Sequence, residues 1–356
     1  MSIVATENTN IKRLAFALED DIRRRGLRPG DRYLTAVEAG KQFKASKMSV
    51  HRAMQYLAEE DFLVRQRGAG TFVGSKFEVT PERWCPLEIV HVVMSMDYQR
   101  IATFPAELLV EHLGITMPQA VIEVNYVSSF ESQRHLDRLV GRIAEENKSK
   151  EGLILIRSTR PMQQLIEESG LPAVVFGSVY SDVTKLSSVD VDQFEIGRLM
   201  ARHALDERCE RLVLLMRDDW RHGDNAMLAG ITQELCAGGL GFDALTICCL
   251  SPERDHIVEE VRRIKSEHEE TDAFLCRNHV YADAADEALQ ALAKRDSVQI
   301  ISGGGRKPIK ARYPYVAPDV DEDGQIQLLG NMLVDQATQE KTQVENQVIP
   351  VHLCKP

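Results

Sequence analysis

The sequence predicts an α+β domain at the N-terminus joined to a larger, two-lobed α/β region. Three observations support this fold class. Apolar residues recur at helical spacing up to about residue 57, a glycine-rich basic hairpin follows at residues 65–74, and short apolar runs then alternate with amphipathic segments. A chain of 356 residues is long enough for two or three domains. We expect domains at residues 1–76 and 87–356, with a linker at 77–86.

The formal charge is divided unevenly along the chain. Residues 1–76 carry +5 and the remaining residues carry −16, within a total of −11. A basic N-terminal part on an acidic chain suits a polyanion that contacts one end only, because the acidic part repels phosphates.

Composition argues against several classes of protein. The chain has 44% hydrophobic and 27% charged residues without a biased tract, which is typical of a folded globular protein. No apolar run approaches the roughly 18 residues that cross a bilayer, and the N-terminus lacks the pattern of a signal peptide. We therefore expect a cytoplasmic protein with no membrane partner. The seven cysteines form no C-x-x-C pair, so we expect buried reduced thiols, no metal site and no cofactor.

Two helices are predicted at the start of the N-terminal domain. Thr35 stands three residues ahead of Glu38, which is the spacing of a capping box and predicts a second helix to about residue 43. The first helix ends before Pro29 and is predicted from apolar residues at helical spacing, namely Ile11, Leu14, Leu18 and Ile22.

A third helix is predicted after Ser46, which can cap it. Its buried stripe is expected to consist of Val50, Ala53, Met54 and Leu57. Its opposite face is polar and is expected to meet a polar partner. That face carries Lys47, Ser49, His51, Arg52 and Gln55.

The segment RQRGAGTFVG, residues 65–74, predicts a tight hairpin. Gly68 and Gly70 permit positive φ values and a close approach of the backbone to a phosphate, while Arg65 and Arg67 supply cations beside it. Three short helices followed by such a hairpin make a winged helix-turn-helix. In that fold the third helix enters the major groove of double-stranded DNA.

The segment LRPGDRYLTAVEAGKQFKASKMSVHRAMQYLAEEDFLVRQRGAGTFVG resembles the DNA-binding domain of the GntR family of bacterial regulators. The order and spacing of P-G, S-K-M-S-V-H-R-A and G-A-G-T-F-V carry the resemblance. The chain departs from the family pattern at Ala36 and Val37, where charged residues are usual, and at Ala69, where a basic residue is frequent. The resemblance implies that DNA is contacted by Thr35, Lys47, Ser49, His51, Arg52, Gly70 and Thr71.

The C-terminal region is predicted from the pattern that begins beyond the prolines of VTPERWCP, residues 79–86. Apolar runs without polar alternation are separated there by helical segments such as SQRHLDRLVGRIAEE and QFEIGRLMARHALDERC. This pattern predicts parallel strands covered on both faces, in two open α/β lobes. The predicted strands are LEIVHVVMSM, VIEVNYV, GLILIRS, PAVVFGS, RLVLLMR, ALTICCLS, DAFLCRN and VQIISGG.

The order of these segments resembles the effector domain of LacI/GalR repressors and of periplasmic sugar-binding proteins. The stretch LPAVVFGSVYSDVTKLSSVDVDQFEIGRLMARHAL resembles the crossing from the first lobe to the second, and VIPVHL resembles the closing strand. The likeness extends over residues 87–353. A winged helix of GntR type on such a periplasmic-binding-protein-like domain is similar to the arrangement of the arabinose repressors.

A ligand site is expected between the lobes, because ligands of open α/β sheets bind beyond the carboxyl ends of the strands. Two candidate residues have structural alternatives, since Asp192 is equally suited to fastening the lobe crossing and Trp220 to packing in the core. Trp220 is also of the type that stacks on a sugar face. The candidates are Ser95, Asp97, Arg157, Asp192, Asp219, Trp220, Arg221 and Asn278.

Two segments depart from sugar-responsive relatives. GDNAMLAG has Met227 or a neighbour where those relatives carry an arginine, and SGGGRK lacks an aspartate that usually holds hydroxyl groups. Arg306 or Lys307 in its place would suit an acidic ligand such as a sugar acid or a sugar phosphate. A cleft that binds no small molecule is an alternative.

These observations predict a homodimeric transcriptional regulator. We expect a repressor that binds a palindromic DNA operator through two heads and is released from it by a sugar-like effector. The chain contains no G-x-S-x-G, P-loop or H-E-x-x-H motif, so catalysis is not expected. The alternative is a small-molecule-binding module or degenerate enzyme that binds DNA without sequence preference.

Overall fold

The computed structural model divides the chain into two compact units, Met1–Trp84 and Cys85–Pro356. We call them the head and the body. The structure describes residues 27–59, 61–66, 70–75, 85–95, 106–127, 132–146, 150–304, 312–338 and 344–356, with scattered positions between residues 11 and 25. Most of the predicted linker, residues 77–84, lies outside these ranges, so the boundaries proposed for it stay a prediction. Cys85 is buried in the core of the body.

The head contains three helices and a small antiparallel sheet. The described positions between Ile11 and Ile22 are helical and form α1. Helix α2 spans Ala36–Gln42 and α3 spans Lys47–Glu59; strands β1 (Arg32–Tyr33), β2 (Leu63–Gln66) and β3 (Gly70–Val73) form a sheet with the order β1-β3-β2. This architecture confirms the predicted helix-turn-helix with a hairpin wing.

Local sequence signals determine the ends and the packing of α2 and α3. The Thr35 hydroxyl accepts a hydrogen bond from the Glu38 backbone N–H at 3.3 Å, and the Glu38 carboxylate accepts one from the Thr35 N–H at 2.7 Å. The predicted capping box is therefore present. The predicted stripe of α3 is also buried, and it forms one core with α1 and the sheet through Val50, Ala53, Met54, Leu57, Leu18, Ile22, Leu63 and Val73.

The body is built from two six-stranded sheets, one in each lobe. The strands of lobe 1 are β4 (Ile89–Ser95), β5 (Val121–Val127), β6 (Glu151–Ile156), β7 (Ala173–Phe176), β8 (Ser187–Val191) and β14 (Asn346–Ile349). The strands of lobe 2 are β9 (Leu212–Arg217), β10 (Leu245–Leu250), β11 (Ala273–Cys276), β12 (Gln299–Ser302), β13 (Tyr315–Pro318) and β15 (Val351–Cys354).

Both sheets have the parallel character that the apolar runs predict. The order in lobe 1 is β14-β8-β7-β6-β4-β5, and every pair is parallel. The order in lobe 2 is β10-β9-β11-β12-β13-β15, where only the pairing of β13 with β15 is antiparallel. The edge strands β5 and β10 have several exposed residues, so the expectation of complete burial is wrong for these two.

Helices cover both faces of each sheet. In lobe 1, α4 (Ala106–Thr116) and α11 (Glu322–Ala337) pack on one face, and α5 (Ser132–Glu146) and α6 (Arg160–Ser169) on the other. In lobe 2, α7 (Gln193–Asp206) and α8 (His222–Ala237) pack on one face, and α9 (Arg254–Glu267) and α10 (His279–Ala291) on the other. Each lobe thus has two apolar layers around its sheet.

The chain passes between the lobes after β8, after β13 and after β14. Pro350 alone separates β14, which pairs with β8 in lobe 1, from β15, which pairs with β13 in lobe 2. The prediction of VIPVHL as one closing strand is therefore wrong. Proline lacks the N–H that continues a ladder, so the chain changes sheets at this residue.

Composition predicted buried cysteine thiols and no membrane-spanning segment. Cys85, Cys209 and Cys276 are buried, as expected, and Cys248 and Cys354 are partly buried. The expectation is wrong for the two exposed thiols, Cys236 and Cys249. Within the described part of the chain, no helix is long and apolar enough to cross a membrane.

Candidate functional sites in the head and the body

The polar face of α3 is turned away from the core of the head. Ser46 accepts a hydrogen bond from the Ser49 N–H at 3.1 Å and so caps the helix, as predicted. The Ser49 side chain is half-buried and lies 2.8 Å from the Ser46 hydroxyl. The remaining residues of the predicted face are exposed, and they are Lys47, His51, Arg52 and Gln55.

The hairpin is joined to α3 by a side-chain contact. Arg65 on β2 places Nη1 3.3 Å from Nε2 of His51. Gly70 has φ of +126°, which agrees with the predicted need for glycine in the wing. Thr71 is only 6% exposed, which leaves its side chain little surface for a partner. Arg67 and Gly68 lie outside the described residues. The DNA contacts assigned to this wing stay predictions.

Two exposed apolar side chains lie in the first turns of α2 and α3. Val37 is 47% exposed and Met48 is 66% exposed. Sequence reasoning noted Val37 only as a departure and did not consider Met48. Apolar side chains at such positions can contact the thymine methyl group in a major groove. In the sequence, such residues can be recognised as apolar residues outside the set that forms the buried face of the helix.

A cavity of about 190 Å³ lies between the two lobes of the body. Its walls are formed where strands end: Arg157 follows β6, Arg217 ends β9 and Arg277 follows β11. Strands β13 and β15 of lobe 2 contribute Val316 and Val351. A cleft is therefore present at the carboxyl ends of the strands, where the ligand site is expected.

The structure brings some predicted ligand residues to this cleft and not others. Arg157, Arg221 and Asn278 line it. Asp219 accepts a hydrogen bond from Arg157 Nη2 at 2.5 Å and forms an ion pair with Arg221 Nη2 at 3.1 Å. Asn278 also caps α10 by accepting from the Val280 N–H at 2.9 Å.

Two of the remaining predicted ligand residues, Asp192 and Trp220, are not part of the lining. Asp192 caps α7 by accepting from the Glu195 N–H at 2.8 Å, which is its structural alternative. Trp220 is half-buried and donates its indole N–H to Cys249 Sγ at 3.2 Å. Ser95 is the last residue of β4, and its side chain, Asp97, Arg306 and Lys307 lie outside the described part. Roles for these residues in ligand binding stay predictions.

Sequence reasoning missed a buried ionic network beside the cleft. Asp224 in α8 is completely buried, and Arg217 donates to it from Nε and Nη2 at 2.8 Å each. Arg277 donates from Nε at 2.6 Å, and the Arg221 backbone N–H donates at 2.8 Å. Burial alone would raise the pKa of Asp224, but Arg277 and Arg217 outweigh it and hold that pKa well below its usual range.

A second carboxyl group of the cleft has the opposite tendency. Asp190 lines the cavity, and burial raises its pKa above the usual range. The Ser178 hydroxyl donates to its Oδ2, and Gln193 donates to its Oδ1 at 2.9 Å. These two hydrogen bonds fix the position of the Asp190 carboxyl group. Among the described residues, no group of three or more His, Cys, Asp or Glu side chains is arranged to hold a metal ion.

Comparisons with known proteins agree with this division into a head and a body. The model of the family described as bacterial regulatory proteins, gntR family, matches residues 10–73. No curated protein sequence is significantly similar to the chain.

Solved structures are similar to most of the chain. One is the transcriptional regulator CelR–cellobiose complex, with a TM-score of 0.62 and 18% identity over 87% of this chain and 90% of that one. Another is the Lac repressor bound to ONPG in the repressed state, with a TM-score of 0.59 and 15% identity over 86% and 89%. A third is a LacI family transcriptional regulator from Enterococcus faecium with bound ribose, with a TM-score of 0.58 and 17% identity over 75% and 97%.

At these identities the likeness to the solved structures concerns the fold, while the family match concerns the head. Residues 10–73 form a helix-turn-helix domain of the gntR family of bacterial regulatory proteins, and the rest of the chain folds as two parallel-sheet lobes like those of LacI-family regulators.

Proposed function

We propose that the protein is a sequence-specific, DNA-binding transcriptional regulator controlled by a small molecule in the cleft of the body. The observation that carries the proposal is the exposed polar face of α3, joined to a basic wing through His51 and Arg65 on a gntR-type head. Such a helix and wing together present side chains to bases and cations to phosphates. We propose that the protein catalyses no reaction and that it acts in the cytoplasm.

The effector is proposed to be sugar-like. Solved structures of similar fold contain cellobiose, ribose or ONPG, and this chain has a cleft at the carboxyl ends of its strands. Effector binding would change the relation between the lobes and thereby the affinity for DNA. A coupling of about 1–3 kcal/mol, or about 5- to 150-fold, is the usual scale. We propose repression that the effector relieves.

A homodimer on a palindromic operator is part of the same proposal. One helix-turn-helix contacts too few phosphates for tight specific binding, so two heads would read half-sites about 34–36 Å apart. The second candidate function is a small-molecule-binding module or degenerate enzyme whose basic head binds DNA without sequence preference. The net charge of +5 in residues 1–76 is what favours that alternative.

Selection from a random duplex DNA pool tests the proposal. We expect the full-length protein to enrich a two-fold symmetric motif and the Arg52→Ala variant to enrich none. Arg254→Ala is the matched control, because Arg254 is an exposed arginine on α9 of the body. Enrichment of no motif by the wild type, with retention that depends only on salt, would support the alternative instead.

A further inference from the structure

Arg157 is a buried cation with unused hydrogen-bond donors at the wall of the cleft. Its side chain is 10% exposed, and within the described part of the chain it is bonded through Nη2 alone, to Asp219. Its Nε and Nη1 have no hydrogen-bond partner among the described residues, although both atoms are buried. Leaving charged N–H groups buried and unpaired is costly, so such groups on a residue that lines a cavity indicate an acceptor that arrives with a ligand.

The backbone at Arg157 is also unusual. Its φ is +55°, in the left-handed region that arginine rarely adopts. Strained positions of this kind persist where the surrounding structure imposes them, and they cluster at binding sites. Here the conformation occurs in the residue directly after β6, at the mouth of the cleft.

The positive charges around the cleft exceed the negative charges that neutralise them. Four arginines line it: Arg157, Arg217, Arg221 and Arg277. Two carboxylates pair with these arginines, since Asp224 holds Arg217 and Arg277, and Asp219 holds Arg157 and Arg221.

Asp190, which lines the cavity, does not restore the balance, because four arginines exceed three carboxyl groups even when all three are charged. Burial raises the pKa of Asp190, and its carboxyl group accepts hydrogen bonds from Ser178 and Gln193. The pKa of Arg157 is lowered, first by burial and then by the positive charge of Arg217, while Asp219 acts in the opposite direction. This positive excess lies in a region, residues 77–356, whose net charge is −16.

We propose that the cleft binds a small organic oxyanion, whose carboxylate or phosphate group is held by Nε and Nη1 of Arg157, with the remainder of the molecule against Asp190 and Ser178. This inference rests on the proposed control by a small molecule and names the chemical class of that effector. Arginine suits the role because its fixed, planar set of donors matches carboxylate and phosphate oxygens. A neutral sugar would accept hydrogen bonds from Arg157 but would not balance the positive excess of the four arginines.

The first test needs no ligand and uses the thermal unfolding of the full chain. Replacing Arg157 by Met removes a buried, partly unpaired cation, and Asp219 keeps its ion pair with Arg221. We expect Arg157→Met to raise the melting temperature of the unliganded protein, in the way that binding-site residues trade stability for function. Arg160→Met is the control, because Arg160 is 57% exposed and outside the lining. A lower melting temperature for Arg157→Met than for the control would mean a structural role and would overturn the inference.

The second test compares matched ligands by calorimetry at constant ionic strength. The probes are glucose, gluconate, glucuronate, glucose 6-phosphate and inorganic phosphate. We expect the carboxylates or the phosphates to bind the wild type, glucose to bind more weakly, and Arg157→Gln to bind the anion about 30-fold or more weakly. Which set binds distinguishes the carboxylate from the phosphate.

Three outcomes would contradict the inference: binding of glucose in preference to every anion, anion binding that Arg157→Gln leaves unchanged, or no binding of any anion. These outcomes are separable from a failure of the proposed function. If anions bind at Arg157 but no DNA motif is enriched, the regulator proposal fails and the ligand class stands. If a motif is enriched and a neutral sugar releases the DNA, the regulator stands and the ligand class fails.

Discussion

Asp224 and Arg217 form a two-pronged ion pair, with Nε to Oδ2 and Nη2 to Oδ1 both at 2.8 Å, in which the carboxylate is completely inaccessible to solvent. Arg277 donates to the same carboxylate from Nε at 2.6 Å. The pair therefore joins the end of β9, the first turn of α8 and the residue after β11. One carboxylate thus holds three elements that form the lobe 2 wall of the cleft.

Asp224→Asn is expected to destabilise the body. The substitution removes the carboxylate that forms ion pairs, within the described part of the chain, with Arg217 and Arg277, which are 12% and 13% exposed. Removing one partner of a buried pair costs about 3–5 kcal/mol because the other charge stays buried. Urea denaturation of the full chain followed by circular dichroism measures this. Asp243→Asn is the control, since Asp243 is 81% exposed and should change the free energy of unfolding by less than about 0.5 kcal/mol.

The stabilisation by Asp224 is expected to depend on pH. Its pKa in the folded protein lies below that of an unfolded aspartate, which is about 3.9. A lowered pKa stabilises the fold above the unfolded pKa, and this stabilisation is lost as the pH falls towards the folded pKa. The difference in unfolding free energy between wild type and Asp224→Asn should be constant from pH 7 to about 5 and shrink below about pH 4. A difference that stays the same at pH 3 would show that the carboxylate charge is not responsible.

Helices α7 and α8 are expected to tolerate no methyl group at their crossing. A Cβ on Gly197 would fall far inside van der Waals distance of the Met227 carbonyl oxygen, and one on Gly230 would meet the Phe194 carbonyl oxygen in the same way. Because both obstacles are backbone atoms, Gly197→Ala and Gly230→Ala should each cost about 1–3 kcal/mol. Thermal or urea unfolding measures the loss.

Gly114 is the matched control for this crossing. It lies in α4, and a Cβ there would meet nothing within 4 Å. Gly114→Ala should therefore stabilise the protein by about 0.5–1 kcal/mol through the lower entropy of the unfolded chain. Equal effects of the three substitutions would mean that helix propensity, not the close crossing, determines the role of Gly197 and Gly230.

Features that depend on neighbouring residues were predictable from the sequence. The capping box of Thr35 and Glu38 and the buried stripe of α3 follow from spacings of three or four residues, and the structure confirms both. The apolar runs of the body likewise became strands, because a parallel strand covered by helices has no polar alternation to obscure it. Arg157 and Arg221 were predicted because Arg157 lies near the end of the predicted strand GLILIRS and Arg221 lies four residues after RLVLLMR, and both line the cavity.

Features that depend on the meeting of distant elements were not predictable in the same way. Asp224 shows no special spacing, and its burial results from Arg217 and Arg277 reaching it from two other elements. The two arginines do stand at strand ends, so the rule that identified Arg157 applied to them too. The division at Pro350 depends on which sheet each neighbouring strand joins, and this information is absent from the local sequence.

Arg65 and His51 are expected to affect DNA binding differently, although Nη1 of the first lies 3.3 Å from Nε2 of the second. Arg65 lies on a strand of the wing, where a cation neutralises a phosphate. Arg65→Ala should therefore weaken binding to all sequences. It should also reduce the slope of log affinity against log salt concentration by about one. His51 lies on the exposed face of α3, so His51→Ala should also relax base preference in the enriched motif. Titrations of operator and non-operator duplexes over a range of salt concentrations measure both effects. Arg254→Ala, on the body, is the control and should change neither the affinity nor the base preference. A loss of base preference in both the Arg65 and the His51 variants would mean that the contact between these two residues acts only by positioning α3.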